Sequence, residues 1–268
     1  MPNRWIISLL ATGAADFLEN SLVGIWNSGI DMTWVHVVVP RGASDDVRAV
    51  VNRFGARLRE PEELLAADRI RASPVEYADY GTAAFNDLMR MRLPLLQALS
   101  RECDYIIHAD IDIAWLANPL PYLEAVLAAY PMAFQTEAFA CFPPNFCCGF
   151  FAMQTAAAES GELIQLHIDR FSEDCPLTMQ VLLNSIIQDN PKFLASIFPL
   201  PEALFANGLL HSTFATRHIN PCALIHLIQP FTFHANFTIG GTNKRRLLRE
   251  AGVWFADPAT PLRIPPEN

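Results

Sequence analysis

The sequence holds no uninterrupted apolar run approaching the ~18 to 20 residues that a membrane-crossing helix needs. Charged residues are scarce at 18 % and the net charge is −9, so the basic surface that nucleic-acid phosphates demand is missing. An anionic ligand would need a local basic pocket or a metal ion. Cysteine is sparse as well: six residues, at 103, 141, 147, 148, 175 and 222, form no Cys-x-x-Cys pair. The adjacent Cys147-Cys148 lacks the usual spacing for zinc, and reduced buried thiols in a cytoplasmic protein are the expectation. Neither an internal repeat nor a low-complexity linker interrupts the chain, so residues 1–268 read as one domain with a Pro-rich tail over 255–268.

What is present is hydrophobic. Apolar residues make up 51 % of the chain, which excludes a disordered or coiled-coil protein and allows a large core. Near the N-terminus, Arg4, the run Trp5 to Leu10 and Ala11-Thr12-Gly13-Ala14 loosely imitate a secretory leader. The run is short and passes at once into an amphipathic helix, which favours a first core strand. A secreted or lumenal chain is the alternative.

Trp5 to Leu10 reads as a buried strand ending in the small-residue turn Thr12-Gly13-Ala14. A helix follows with Phe17, Leu18, Leu22, Ile25 and Trp26 on one stripe, stopped by Asn27-Ser28-Gly29. Thr33 to Val39 is rich in β-branched residues and reads as a second strand, Ser44 to Phe54 as a helix and Ala56 to Arg59 as a third strand. This rhythm predicts an α/β fold with a mostly parallel central sheet flanked by helices. Residues 73–83 read as a loop, and 84–100 as a helix interrupted or restarted near Pro94. Tyr105 to Ala109 is a strand running into Asp110-Ile111-Asp112. A helix over 121–129, strands over 132–136 and 147–153, and helices over 160–172 and 177–188 come next. The apolar segments Leu224 to Ile228 and Phe231 to His234 precede Gly240-Gly241 and a last helix from Lys244.

Ligands of open α/β sheets collect at the carboxyl ends of strands. Asp110 and Asp112 sit at such an end, where two carboxylates one residue apart can turn toward one cation. Hard oxygen ligands suit Mg²⁺ or Mn²⁺, which bridge to phosphate oxygens; a pair of solvated loop acids is the plain alternative. The second feature is His234-Ala235-Asn236 followed by Gly240, Gly241, Thr242, Asn243, Lys244, Arg245 and Arg246. The glycines let backbone approach a ligand, and Thr242 or Asn243 can cap the helix. Three cations in the first turn oppose the helix dipole, so a bound anion such as a pyrophosphate would explain them. Long basic side chains in solvent are the competing explanation.

The run Asp104-Tyr-Ile-Ile-His-Ala-Asp-Ile-Asp-Ile-Ala-Trp-Leu-Ala-Asn-Pro119 resembles the metal-binding segment of nucleotide-diphospho-sugar transferases, the group containing the plant arabinosyl- and xylosyltransferases of glycosyltransferase family 77. Asp16-Phe-Leu-Glu-Asn20, Arg92-Leu-Pro-Leu-Leu96, Cys148-Gly-Phe-Phe151 and Gln180-Val-Leu-Leu-Asn184 resemble further family segments, in family order. So does His234-Ala-Asn236 with Gly240 and Lys244. The ordered set spans about residues 5 to 254; each motif alone is weak.

The resemblance implies a GT-A-type fold and a metal-dependent glycosyltransferase, retaining, with a UDP-sugar donor and an acceptor it does not name. It implies that Asp110, Asp112 and His234 hold Mn²⁺ or Mg²⁺, with Asp110 also near the ribose. Gly240 and Lys244 would hold the diphosphate, Arg92 would assist on the donor side, and Thr12 and Gly13 would line the base pocket. Gln180 would lie beside the anomeric carbon, so that Gln180 and Asp112 carry the chemistry. Two residues depart from the family pattern: Met179 replaces an acid, and Arg92 replaces a lysine, keeping the charge but changing its shape. The first leaves open an impaired nucleotide- or sugar-binding relic; separately, an apolar strand followed by Asp110-Ile-Asp-Ile113 also fits the nucleophile motif of a haloacid-dehalogenase-like phosphatase. Candidate acceptor loops are 137–147 and 200–220.

Overall fold

The computed structural model describes residues 4–70, 80–137 and 142–256. Of the expected elements, residues 73–79 of the 73–83 loop, 138–141 of the first acceptor segment and 257–268 of the tail lie outside them.

β1 (Trp5–Leu10) is buried almost throughout, and Ala14 after it takes a left-handed backbone (φ 55°) that turns the chain into α1 (Ala15–Asn27). α1 buries the expected Phe17, Leu18, Leu22 and Ile25. The second strand is shorter than its β-branched run suggests. Asp31 Oδ1 accepts the Thr33 amide at 2.8 Å and bends Met32–Trp34 into a 3-10 turn, which confines β2 to Val35–Val38. α2 (Asp45–Phe54), β3 (Arg57–Arg59) and the single turn α3 (Pro61–Leu64) come next.

α4 (Ala83–Leu99) runs unbroken through Pro94, against the expected interruption. A proline inside a helix costs about 3 kcal/mol. Met89, Met91, Leu93, Leu95, Leu96 and Leu99 are all buried around it, and each such side chain contributes roughly 1.5–3 kcal/mol. Packing outweighs the broken bond.

β4 (Tyr105–Ala109) leads through a tight turn to β5 (Ile113–Trp115), and α5 (Leu120–Leu127) precedes β6 (Met132–Thr136) and β7 (Phe146–Gln154). α6 (Ala158–Arg170), α7 (Met179–Asp189) and α8 (Pro191–Ser196) then pack before β8 (Ile197–Leu200) and β9 (Phe205–Asn207). The chain closes with α9 (Gly208–Thr216), α10 (Pro221–Ile228), β10 (Thr232–His234) and α11 (Gly241–Glu250). The Leu224–Ile228 segment is thus helical: the Asn220 side chain accepts the amides of Cys222 and Ala223 and starts α10. No helix among the described residues is long and apolar enough to cross a membrane.

Seven strands form the central sheet in the order β3-β2-β1-β4-β7-β6-β8. Every neighbouring pair is parallel except the two made by β7, so β7 alone runs against the rest. One face buries Ile7, Leu9, Val35, Val37, Ile107 and Ala109 under α1, α2 and α5; the other buries Ile6, Val38 and Ile106 under α4, α6 and α7. A second sheet, β5-β10-β9, caps the carboxyl end of β4. It packs closely on α1 because Gly24 lacks a side chain; a Cβ there would meet the Trp115 carbonyl at 2.5 Å.

Candidate active site

The turn between β4 and β5 places the two acids. The Asp110 amide donates to the Gly149 carbonyl at 2.8 Å on β7, and the Ile113 amide donates to the Asp110 carbonyl at 3.3 Å. β5 then pairs antiparallel with β10, setting Ile113 opposite His234. The result brings ligand atoms of Asp110, Asp112 and His234 within 4.8 Å of one another. His234 Nε2 lies 3.4 Å from Asp112 and 3.9 Å from Asp110. Gly149 is the floor beneath them: a Cβ there would stand 2.4 Å from the His234 ring and 2.7 Å from Asp110 Oδ2.

Cations flank the acids. Arg92 Nη2, from the buried stretch of α4, reaches Asp110 at 2.5 Å while Nη1 donates to the Cys148 carbonyl at 3.1 Å. Lys244 Nζ reaches Asp112 at 2.6 Å. Burial disfavours both carboxylates, but Arg92 and His108 outweigh it at Asp110, and Lys244 and His234 outweigh it at Asp112. Both are held below the ordinary aspartate value, Asp112 strongly so. Burial likewise opposes charge on His234, yet the Asp112 carboxylate and the Cys147 sulfur raise its pKa to about 10.

The His234 ring is also oriented. Gln135 is fully buried on β6, and its Nε2 donates to the Phe205 and Ala206 carbonyls at 3.0 and 3.2 Å. Its Oε1 therefore faces His234 Nδ1, at 2.9 Å, and accepts the Nδ1 proton. Nε2 is left to the acids. A donor set of two carboxylate oxygens and one imidazole nitrogen, with the imidazole fixed from behind, fits a small divalent cation.

A cavity of about 370 Å³ opens in front of this cluster, and Arg92, Asp110, Gln180, His234, Gly240 and Lys244 all line it. Asp112 lies just behind its wall, 5 % exposed. Seven of the nine residues singled out from sequence thus meet here. Thr12 and Gly13 do not line the cavity: they sit past the end of β1, the strand beside β4.

Two further findings depart from the sequence reading. The last helix starts at Gly241, with Gly240 (φ 87°) at its cap, so the three cations begin in its second turn. They also have acidic partners within the protein: Lys244 with Asp112, Arg245 with Asp16 (Nη2 to Oδ1 3.1 Å) and Arg246 with Glu250 at 3.8 Å. Their presence therefore needs no bound anion to explain it.

Three residues around His234 carry no individual site role in the sequence reading, although Glu137 and Cys147 bound the candidate acceptor loop 137–147. They are Gln135, Cys147 (Sγ 3.8 Å from His234 Nδ1) and Glu137, whose Oε2 accepts from Asn145 at 3.0 Å. Burial raises the Glu137 carboxyl, opposed by contacts to Gln180, His234 and Cys147. Gln180 Oε1 accepts the Cys148 amide at 3.2 Å. The available signal was slight: Gln135 is a polar residue inside the apolar strand β6, and Glu137 directly follows its carboxyl end.

The family model of nucleotide-diphospho-sugar transferases matches residues 68–248. Among solved structures, the galactosyltransferase LgtC, in complex with donor and acceptor sugar analogs, superposes with a TM-score of 0.52 at 15 % identity, over 92 % of this chain and 95 % of that one. The glycosyltransferase GlyE of Streptococcus pneumoniae TIGR4 gives 0.55 at 14 % identity, over 93 % of this chain and 60 % of that one. Mouse xyloside xylosyltransferase 1 gives 0.50 at 12 % identity, over 87 % and 98 %. At such identities the likeness is one of fold. No curated protein matches the sequence.

Proposed function

Because this chain belongs to the nucleotide-diphospho-sugar transferase family, with its GT-A-type fold, we propose that it transfers a sugar from a UDP-sugar to an acceptor hydroxyl with retention of anomeric configuration. The observation that carries the proposal is the convergence of Asp110, Asp112 and His234 on one point at the end of β4, with Lys244 and Arg92 beside them.

The difficulty in the reaction is the departure of a nucleoside diphosphate with developing negative charge. Asp110, Asp112 and His234 would hold Mn²⁺ or Mg²⁺, which when bound supplies Lewis-acid stabilisation of that leaving group. Lys244 contributes a fixed positive charge to the same oxygens, and the Gly240 backbone allows the diphosphate to approach α11. Arg92 orients Asp110. Gln180, held by the Cys148 amide and by Glu137, would lie beside the anomeric carbon. The C1–phosphate bond breaks and the C1–acceptor bond forms on the same face. The acceptor proton passes to the departing phosphate oxygen, so no side-chain base is required. Thr12 and Gly13, one strand over, would meet the base.

Met179 is buried and offers no acid, but Glu137, the residue after β6, brings a carboxylate to the same cavity. That favours an active transferase over a binding relic. The phosphatase alternative requires its aspartates on the first strand of the domain, whereas here they follow β4 and face His234 and Lys244.

Thermal stabilisation by UDP, GDP, CDP and dTDP, each with and without Mn²⁺, tests the reading. The expected result is a shift for UDP that needs Mn²⁺ and vanishes in Asp112→Ala, with turnover falling by about 10²–10³-fold. A shift that survives in Asp112→Ala would remove the metal assignment.

A further inference from the structure

Nine large hydrophobic side chains are exposed among the described residues, and three of them, Tyr80, Phe237 and Ile239, line the donor cavity. Tyr80 is tied to this rim: its hydroxyl donates to Thr178 Oγ1 at 2.9 Å, and its ring packs at 5.3 Å on Phe85. On the opposite rim Phe237 is 53 % exposed and Ile239 67 % exposed.

Phe237 is held in this position by its backbone. Its φ of 56° lies in the left-handed region, which a bulky aromatic residue rarely adopts. The preceding residue is pinned, because the Gly208 amide donates to the Asn236 side chain at 2.9 Å and a Cβ on Gly208 would collide with the Asn236 carbonyl at 2.0 Å. A strained backbone that holds an aromatic ring in water gains nothing for the core. Exposed aromatic and aliphatic side chains on the lining of a cavity that also holds convergent charged groups mark a ligand site.

We propose that this mouth is the acceptor subsite, and that it takes a small acceptor whose hydroxyl is carried on an apolar, aryl-bearing body. The inference rests on the donor reading above. If the sugar sits between Gln180 and the acids, an incoming hydroxyl meets Tyr80, Phe237 and Ile239 on the lining of the same cavity. The inner wall, with Asp110, His234 and Lys244, suits the charged diphosphate; the rim suits the apolar body that bears the hydroxyl.

The test uses saturation-transfer NMR on the full chain, with 4-nitrophenyl β-D-glucopyranoside against methyl β-D-glucopyranoside, each with and without UDP and Mg²⁺. The nitrophenyl ring protons are expected to receive saturation and the methyl glycoside to receive little. Phe237→Gly combined with Ile239→Ser is expected to weaken the aryl probe by about tenfold. Glycine relieves the positive φ, so the melting temperature of Phe237→Gly should equal or exceed that of the parent. Equal binding of both glycosides, no ring saturation with the parent protein, or full aryl binding by the double variant overturns the proposal. The aryl arm without nucleotide is independent of UDP binding. Loss of the UDP shift alone therefore strikes the donor reading, and loss of aryl discrimination alone strikes this one.

Discussion

His36 and His234 are equally buried, at 2 % exposure each, yet their imidazoles are pushed in opposite directions, to about 4 and about 10. His36, on β2, is desolvated and faces Arg59 and Arg57, with Glu102 a lesser opposing influence. Arg59 meets Glu102 through two bonds of 2.9 Å and Glu63 at 3.3 Å, so the charges of that cluster close on themselves. His234 is desolvated too, but the Asp112 carboxylate and the Cys147 sulfur outweigh burial. Its cluster opens into a cavity. The lesson is that burial sets only the cost of charge; what the ring faces decides whether charge is kept. A closed ionic cluster of this kind stabilises a sheet edge, whereas one with crowded carboxylates and an open side can exchange its cations for a ligand.

The contrast can be broken most severely at Gln135. Replacing it with Leu leaves His234 Nδ1 without its acceptor, and Mn²⁺ affinity should fall about 10- to 100-fold, read by electron paramagnetic resonance titration. Unchanged affinity would mean that the ring does not serve the cation. Gly149→Ala should come next: the methyl group meets His234 and Asp110 with nowhere to move, and urea unfolding should show a loss of about 1–3 kcal/mol. A free energy unaltered by this change would show that the triad is not packed as described.

The pH dependence sharpens the comparison further. His36, His108 and His167 all have folded pKa values lowered to about 4, in each case chiefly by burial. Between their ordinary value near 6.5 and 4, the unfolded chain binds protons that the folded protein refuses. Their contribution is complete above about 6.5 and is lost as pH falls toward 4, with a slope up to about 1.4 kcal/mol per pH unit for each. His234 has the opposite sign: its contribution is full below 6.5 and is lost as pH rises through 10. In chelator, His36→Phe should flatten the acid side of the stability profile and His234→Gln the alkaline side. Identical profiles for the two variants would erase the distinction. The smallest effect belongs to Glu102→Ala, about 1 kcal/mol of stability because the pair is partly exposed, with UDP binding untouched. Altered nucleotide binding there would show that the two clusters are coupled.

Much of the sheet was legible. Tyr105–Ala109 and Met132–Thr136 match their expected bounds because apolar runs between turn signals leave little choice of period. Two short strands were not legible: β5 and β9 have three residues each and exist because β10 lies between them, whereas the equally short β3 follows the expected Ala56 to Arg59. Pro94 misled for the same reason, since its tolerance depends on partners distant in sequence. The three cations of α11 misled because their acids lie on other elements or one turn on.

The amino-acid sequence by itself determined the alternation of strands and helices and set Asp110 and Asp112 at the end of an apolar strand, through local periodicity and spacing. It also placed His234, Gly240 and Lys244 on one segment. Only the tertiary structure decided that these meet, because the antiparallel register of β5 with β10 sets His234 opposite Ile113, and the bare Cα of Gly149 lets the strands close. The side that faces the cavity, the proton on His234 and the carboxylate of Glu137 came from that same packing. A side chain's charge depends on neighbours that no local stretch of chain contains.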